Sequence, residues 1–178
     1  ISITHAGLMT KAANKTGTAA ASTDLISITS HGYSAGDLVV VSGLTGGAGL
    51  TAGWPYFVIA AGLTSGVFAI SETSGGSALD ITSDASAITV NKLAEISGGS
   101  PAYARKAIAF ASASLALIDD STNGAVFDVP AAAQVDYVSF HTASTSGTLL
   151  FAGPVTQEVF GAQGTYTLSD AKLDLRLG

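Results

Sequence analysis

Short β-branched runs alternate with turns rich in Gly, Ser, Thr and Asp from His31 to Val90. Brief apolar runs bounded by turn residues are typical of β-strands. No stretch of this block is long enough for a good helix, so it predicts a sheet structure. Its expected strands are Leu25–Thr29, Leu38–Gly43, Tyr56–Ala61, Val67–Ser71, Ala78–Thr82 and Ala87–Lys92.

The turns between these runs carry residues that suit tight reversals. Thr64-Ser65-Gly66 separates two apolar runs, which predicts a hairpin. The second half of the chain has the same short-run pattern, and Val135–His141 alternates between apolar and polar positions as a half-buried strand does. Its expected strands are Ala104–Ala113, Leu115–Ile118, Ala125–Val129, Val135–His141, Gly147–Ala152, Gln157–Phe160, Gly164–Leu168 and Leu173–Leu177.

A Gly/Ser stretch followed by Pro101 is the strongest linker signal in the chain. The Ala-, Thr- and Lys-rich N-terminus predicts an arm, either extended or with one or two helical turns over Ala6–Lys15. We therefore predict an all-β fold with two consecutive small β-sandwich or β-barrel-like domains after an N-terminal arm. The boundaries are 1–23 for the arm, 24–96 for the first domain, 97–101 for the linker and 102–178 for the second, a β-sandwich.

The low fraction of charged residues in this chain limits its possible partners. Charged residues make up 11% of the 178 residues and apolar residues 47%, with a net charge of −6. No apolar run reaches the roughly 20 residues of a spanning helix, so we expect no membrane insertion. No basic stripe is present to neutralise phosphates, so we expect no nucleic-acid binding. A surface so poor in charge favours self-association, and the chain has no cysteine for disulfides or thiolate metal sites.

The residues 32–36 match the G-x-S-x-G pattern of a nucleophile elbow around Ser34. That elbow needs a helix after the serine, whereas Asp37–Val41 is β-branched and predicts a strand. The candidate partners are His141 as the base and Asp120 or Asp136 as its orienting carboxylate, but no alternation of strands and helices brings them together. We predict a turn here and no catalytic residues.

Other polar groups also favour structural roles. The glycines of 43–49 lack the Lys-Ser/Thr of a phosphate-binding loop, and His5, His31 and His141 lack metal-site spacing. We expect His31 to cap a turn through a ring nitrogen. Asp119–Gly124 lacks the ligand spacing of a Ca²⁺-binding loop, and its Asn123-Gly124 pair favours a tight hairpin. Asp80–Asp84 favours a strand that ends in an Asx-type turn. We therefore predict no cofactor and no metal site.

Trp54-Pro55-Tyr56-Phe57 is the only dense aromatic group. Exposed aromatic side chains could stack on sugar rings, whereas a core or a subunit seam would bury them. We favour burial, because aromatic clusters contribute strongly to core energetics.

Two sets of residues resemble phage virion surface proteins. The block from Ile28 to Asp84 resembles a module of phage tail and capsid-surface proteins. In that module a sequence motif like that of His31–Asp37 precedes a strand. The second half resembles a β-sandwich domain of phage head-fibre, decoration and minor tail proteins. The residues that carry this second resemblance are Tyr103–Ala107, Phe127–Pro130, Gly147–Leu150, Phe160–Tyr166 and the final Leu-x-Leu-x-Leu.

The resemblance implies a non-enzymatic structural component of a phage virion, either a capsid decoration or head-fibre protein that stabilises or projects from the shell. The alternative is a tail-fibre or minor tail protein that contacts a host-surface glycan. The expected partners are further copies of the chain, as a homotrimer with a dimer or a higher ring left open, and the major capsid protein or another virion protein.

Overall fold

The computed structural model describes residues 3–109 and 124–169, and within these ranges the chain contains strands and no helix. The prediction of an all-β fold is confirmed. The described residues accordingly hold no helix of the length and apolar character that would cross a membrane. The strands are β1 (His5–Lys11), β2 (Lys15–Ala20), β3 (Leu25–Ser27), β4 (Leu38–Gly46), β5 (Pro55–Ile59), β6 (Val67–Ser71), β7 (Ala85–Glu95), β8 (Lys106–Ala107), β9 (Ala125–Val129), β10 (Gln134–His141), β11 (Leu149–Val159) and β12 (Gly164–Leu168).

The chain divides into two compact units. Lys11–Ala94 forms one of them, called here the barrel unit. Ile1–Thr10 and Glu95–Gly178 form the other, called here the sandwich unit. The barrel unit is therefore an insertion between two parts of the sandwich unit, which differs from the predicted consecutive arrangement. The predicted linker at 97–101 lies within the sandwich unit.

Six antiparallel strands close the barrel unit in the order β2-β3-β6-β5-β4-β7, and β7 pairs back to β2. Alternate residues on these strands fill the interior, as period-2 side-chain geometry requires. The interior pairs are Val39 and Val41, Tyr56 and Val58, Phe68 and Ile70, and Ile88 and Val90. The predicted hairpin is confirmed, since β5 pairs with β6 across Ala60–Gly66.

Two sheets form the sandwich unit around one core. The first has the order β11-β10-β1-β8 and the second pairs β12 with β9, all antiparallel. Leu8 and Phe140 from the first sheet share a hydrophobic cluster with Phe127, Val129 and Leu168 from the second. At about 25 cal/mol per Å² of apolar area, burying such side chains is the main stabilising term for the unit.

Two strands replace the predicted N-terminal arm. β1 lies between β10 and β8, while β2 lies between β3 and β7. Leu8 and Ala19 are buried in the sandwich and barrel cores respectively. The small Ala and Gly residues of this segment fit between closely spaced strands, although Ala and Gly carry little strand propensity.

The strand predicted over Ala78–Thr82 is wrong. The backbone N–H groups of this segment donate to three separate parts of the chain. The Leu79 N–H donates to the Ile70 carbonyl, and the Ile81 N–H donates to the Asp24 carboxylate. The Thr82 N–H donates to the Ala48 carbonyl. No single neighbouring strand receives them, so no ladder forms. Ile81 is nevertheless buried in the barrel core, which explains the apolar signal.

The strands predicted separately at Gly147–Ala152 and Gln157–Phe160 are one strand, β11, which runs through Pro154. Proline lacks an N–H donor but is tolerated on an edge strand, and among the described residues β11 pairs only with β10. Of the predicted strand Ala104–Ala113, only Lys106–Ala107 is a strand within the described part. The predictions at Leu115–Ile118, Asp119–Asn123 and Leu173–Leu177 lie outside the described residues.

Candidate functional site

The G-x-S-x-G pattern at 32–36 is a turn that leads into a strand. The Ser34 N–H donates to Asp37 Oδ2 at 2.9 Å, and the Asp37 N–H donates to the Ser34 carbonyl at 3.1 Å. Asp37 also forms an ion pair with Lys92 Nζ at 2.7 Å. β4 begins at the next residue, so no helix N-terminus faces the exposed Ser34 hydroxyl.

The proposed partners of Ser34 make other contacts or lie outside the described residues. His141 Nε2 lies 2.9 Å from Ser139 Oγ. Asp136 accepts hydrogen bonds from the Gln134 and Gln157 side-chain amides, each at 2.8 to 2.9 Å. Asp120 lies outside the described residues. The turn interpretation of this motif therefore agrees with the structure.

His31 caps the same turn, as predicted. Its Nδ1 accepts the Tyr33 N–H at 2.9 Å, and its ring lies 5.0 Å from the Tyr33 ring and 4.9 Å from the Phe68 ring. The Nε2 atom is buried with no hydrogen-bond partner within the described ranges. The side chain is 2% exposed and forms part of the packing of the barrel unit.

Two N–H groups of the glycine loop at 43–49 are engaged by residues 83 and 84. The Gly47 N–H donates to the Asp84 carbonyl, and the Ala48 N–H donates to Ser83 Oγ. Asp84 Oδ1 in turn accepts the Ala21 N–H at 2.8 Å. This loop therefore folds onto residues 82–84 rather than presenting its donors to a phosphate.

No group of three or more His, Cys, Asp or Glu side chains within 3–109 and 124–169 is arranged to hold a metal ion.

The aromatic side chains of residues 54–57 differ in exposure. Tyr56 and Phe57 are buried, as predicted, whereas Trp54 is 48% exposed.

A part-buried polar cluster in the sandwich unit is the most organised arrangement of functional groups among the described residues, and sequence reasoning missed it. Its members come from β1, the end of β7, the segment that follows β7, and β10. They are His5, Glu95, Tyr103, Arg105, Ser139 and His141.

The Glu95 carboxylate is the centre of this polar cluster. It accepts two charge-assisted hydrogen bonds from Arg105, at 2.7 Å from Nε and at 2.6 Å from Nη2. The Tyr103 hydroxyl donates to Glu95 Oε1 at 3.3 Å and accepts the Leu8 N–H at 2.7 Å. Arg105 also donates to the Ala143 carbonyl. Burial raises the pKa of Tyr103, and the hydrogen bond to Glu95 raises the pKa of Arg105.

Ser139 Oγ and His141 Nε2 are 2.9 Å apart, the separation of a nucleophile and its base. Ser139 is fully buried, however, and a Cβ added at Gly7 on the facing strand would lie 2.8 Å from its hydroxyl oxygen. A substrate carbonyl has no room to approach. The pair therefore acts in strand packing rather than in nucleophilic attack.

The edge of β11 and two exposed valines are the accessible features described in the sandwich unit. β11 pairs along one edge only within the described residues, and most side chains of Pro154–Val159 are exposed. Val159 on β11 is 65% exposed and Val126 on β9 is 53% exposed. An open strand edge offers unpaired backbone donors and acceptors to another strand.

The sequence comparisons give one family. Residues 80–176 match the model of the family described as podophage GP4 fiber I protein gp80. No curated protein and no solved structure matches the chain. The matched segment contains β7 to β12 and five of the six members of the polar cluster. Because this match covers 97 of 178 residues, the chain belongs to the podophage fiber I protein gp80 family and is a virion-associated structural protein.

Proposed function

We propose that this chain is a non-enzymatic head-fibre or decoration protein that projects from the capsid of a podophage. The observation that carries the proposal is the fibre-family match over 80–176. The compact units also support it, because the described chain has neither a coiled coil nor a fibrous repeat of the kind that forms a long tail-fibre shaft.

The absence of an exposed catalytic arrangement in the described residues supports a role without chemistry. Two hydroxyl–imidazole pairs occur in the described residues. Ser139 and His141 are sealed between strands, and the Thr4 hydroxyl beside His5 Nδ1 donates its hydrogen to the Thr142 carbonyl instead of the imidazole. The exposed Ser34 lies in a turn that Asp37 closes. Ester hydrolysis by the purified protein should equal the blank. Turnover that disappears in Ser34→Ala or Ser139→Ala would contradict this part of the proposal.

We also propose that copies of the chain associate as a homotrimer through the edge of β11. The strand is eleven residues long, and its exposed half carries a single charge, on Glu158. Natural edge strands are usually protected by charge or by proline. Here Pro154 lies at the middle of the strand and leaves Val155–Val159 available. A second copy of this chain fits such an edge, since a fibre is built from repeated copies.

Trp54 supports the alternative role as a tail fibre that contacts a host glycan. Its ring is 48% exposed and could stack on a sugar face. This role predicts that Trp54→Ala abolishes adsorption to host cells, whereas the head-fibre role predicts unchanged adsorption.

Counting copies in purified particles separates the two locations. Quantitative gel analysis or cryo-electron microscopy should find a copy number tied to the symmetry of the capsid. A small number of copies confined to the tail would contradict the head-fibre proposal and favour the alternative.

A further inference from the structure

His141 is buried in the polar cluster with one of its ring nitrogens unpaired. The side chain is 2% exposed, and Nε2 is engaged by Ser139 Oγ at 2.9 Å. Nδ1 is buried with no hydrogen-bond partner among the described residues. An imidazolium has an N–H at both positions. Protonation would therefore place a charged donor at Nδ1 without an acceptor.

The groups that face His141 are mainly cations or potential cations. His5 lies directly opposite on β1, and Arg105 lies on the segment after β7. Glu95 is the one carboxylate of the cluster, and both of its oxygens are already bound by Arg105. Burial first, and Arg105 second, lower the pKa of His141 to about 4, and the opposing attraction of Glu95 does not offset them.

Charged groups on the remaining adjoining strands are engaged elsewhere. Lys106 of β8 lies 3.6 Å from Asp128 of β9. Asp136 of β10 accepts the Gln134 and Gln157 amides. Leu149 of β11 stands opposite His141 and carries no charge. The described surroundings therefore contain no carboxylate that is free to neutralise an imidazolium.

The polar cluster also holds β1 in place on both sides. On one side β1 pairs with β10 from His5 to Met9. On the other side the Leu8 N–H donates to the Tyr103 hydroxyl, and the Leu8 carbonyl accepts the Ile96 N–H at 3.0 Å. Gly7 lies between these contacts, with Ser139, Glu95 and Tyr103 oxygens around the position of its missing side chain. A new charge at His141 acts directly on this strand.

We propose that the polar cluster is an acid-sensitive latch, in which protonation of His141 releases β1 from its neighbours on both sides, from β10 and from the contacts of Leu8 with Tyr103 and Ile96. The inference holds at either location on the virion. It gives a structural protein a way to loosen one strand in response to pH, without chemistry.

The direction of the pH effect follows from proton linkage. The pKa of His141 in the folded chain lies below the ordinary value of 6.5, so the unfolded or opened form binds the proton more tightly. The closed latch is fully stable above about pH 6.5 and loses stability as the pH falls towards 4. The opening equilibrium should rise on the order of a hundredfold across that range.

Amide hydrogen exchange of Leu8 and Ile96 in the unsubstituted chain tests the latch. After correction for the intrinsic pH dependence of exchange, both amides should lose protection by on the order of a hundredfold between pH 7 and 4. Val41 and Val90 of the barrel unit are the controls and should retain theirs, since His141 lies in the other unit. Unchanged protection of Leu8 and Ile96 down to pH 4 would overturn the proposal.

A second experiment separates the effect of His141 from that of the other titrating groups. His141→Gln keeps a side-chain amide near Ser139 Oγ but cannot be protonated, so protection of Leu8 should no longer depend on pH. His5→Gln should leave most of the pH dependence in place. If His141→Gln does not fold, the imidazole titration of His141 in the unsubstituted chain, followed by NMR, decides. Its midpoint must match that of β1 release, and a clear mismatch, or acid release that persists in His141→Gln, would refute the latch.

Discussion

The barrel unit and the sandwich unit solve the same problem, burying apolar strands, in different ways. The barrel unit closes on itself through six strand pairs, which leaves no open edge. The sandwich unit has sheets with open edges within the described chain and places a charged cluster beside its core. The proposed contact between copies and the proposed response to pH both use features of the sandwich unit, namely the edge of β11 and the polar cluster.

The largest expected effect concerns the two cores. Phe127→Ala should destabilise the sandwich unit, and Phe68→Ala the barrel unit, by about 3–5 kcal/mol each, because each substitution removes a fully buried ring. Trp54 is the only tryptophan and lies in the barrel unit. Its fluorescence in urea should shift to a lower midpoint in Phe68→Ala and change little in Phe127→Ala. Equal shifts of the urea midpoint in the two variants would show that the two cores do not contribute separately to the stability of the two units.

The next effect compares the ion pairs of the two units. Glu95→Gln should cost about 2–3 kcal/mol of folding free energy, because the glutamine amide faces Arg105 donors in a part-buried site. Asp37→Asn in the barrel unit should cost about 0–1 kcal/mol, since its partner Lys92 is substantially solvent-exposed. Denaturant unfolding followed by tyrosine fluorescence and circular dichroism measures both. A larger loss in Asp37→Asn would reverse the comparison.

A smaller effect tests the packing of β1. Gly7→Ala should cost about 1–3 kcal/mol, because the added methyl group would meet oxygens of Ser139, Glu95 and Tyr103 at 2.8 to 3.1 Å. Gly153→Ala on β11 is the matched control, where a Cβ meets nothing within 4 Å. Its effect on the free energy of unfolding should stay within about 0.5 kcal/mol. Thermal unfolding of both variants side by side makes the test, and equal losses would mean that the cluster does not pack tightly on Gly7.

Strong periodic runs were readily predicted from the sequence. Val67–Ser71, Ala125–Val129 and Gly164–Leu168 have the predicted bounds, since each has a clear apolar pattern between turn residues. β1 and β2 were not predicted as strands, because the Ala, Lys and Gly residues among them have weak strand propensity. These segments gain their structure from neighbouring strands on both sides.

The polar cluster could not be predicted because its members are dispersed along the chain. His5 and His141 are 136 positions apart in sequence and become neighbours only through the β1–β10 register. The Tyr103-x-Arg105 phrase was visible in the sequence, but its partner Glu95 is at the end of a strand that reads as part of the barrel block. Ala78–Thr82 shows the opposite error: burial of Ile81 gave an apolar pattern where the backbone makes no ladder.

Under our proposal, copies of the chain associate through the edge of β11 in the sandwich unit, and the barrel unit takes no part. Sedimentation of the wild type, Val159→Lys and Val126→Lys at micromolar concentration measures this association. Both substitutions are at exposed sites, so the folding free energy should change by about 0.5 kcal/mol or less. We expect a trimer for the wild type and for Val126→Lys, and a monomer for Val159→Lys. A wild type that sediments as a stable monomer, or a Val159→Lys variant that remains a trimer, would contradict it.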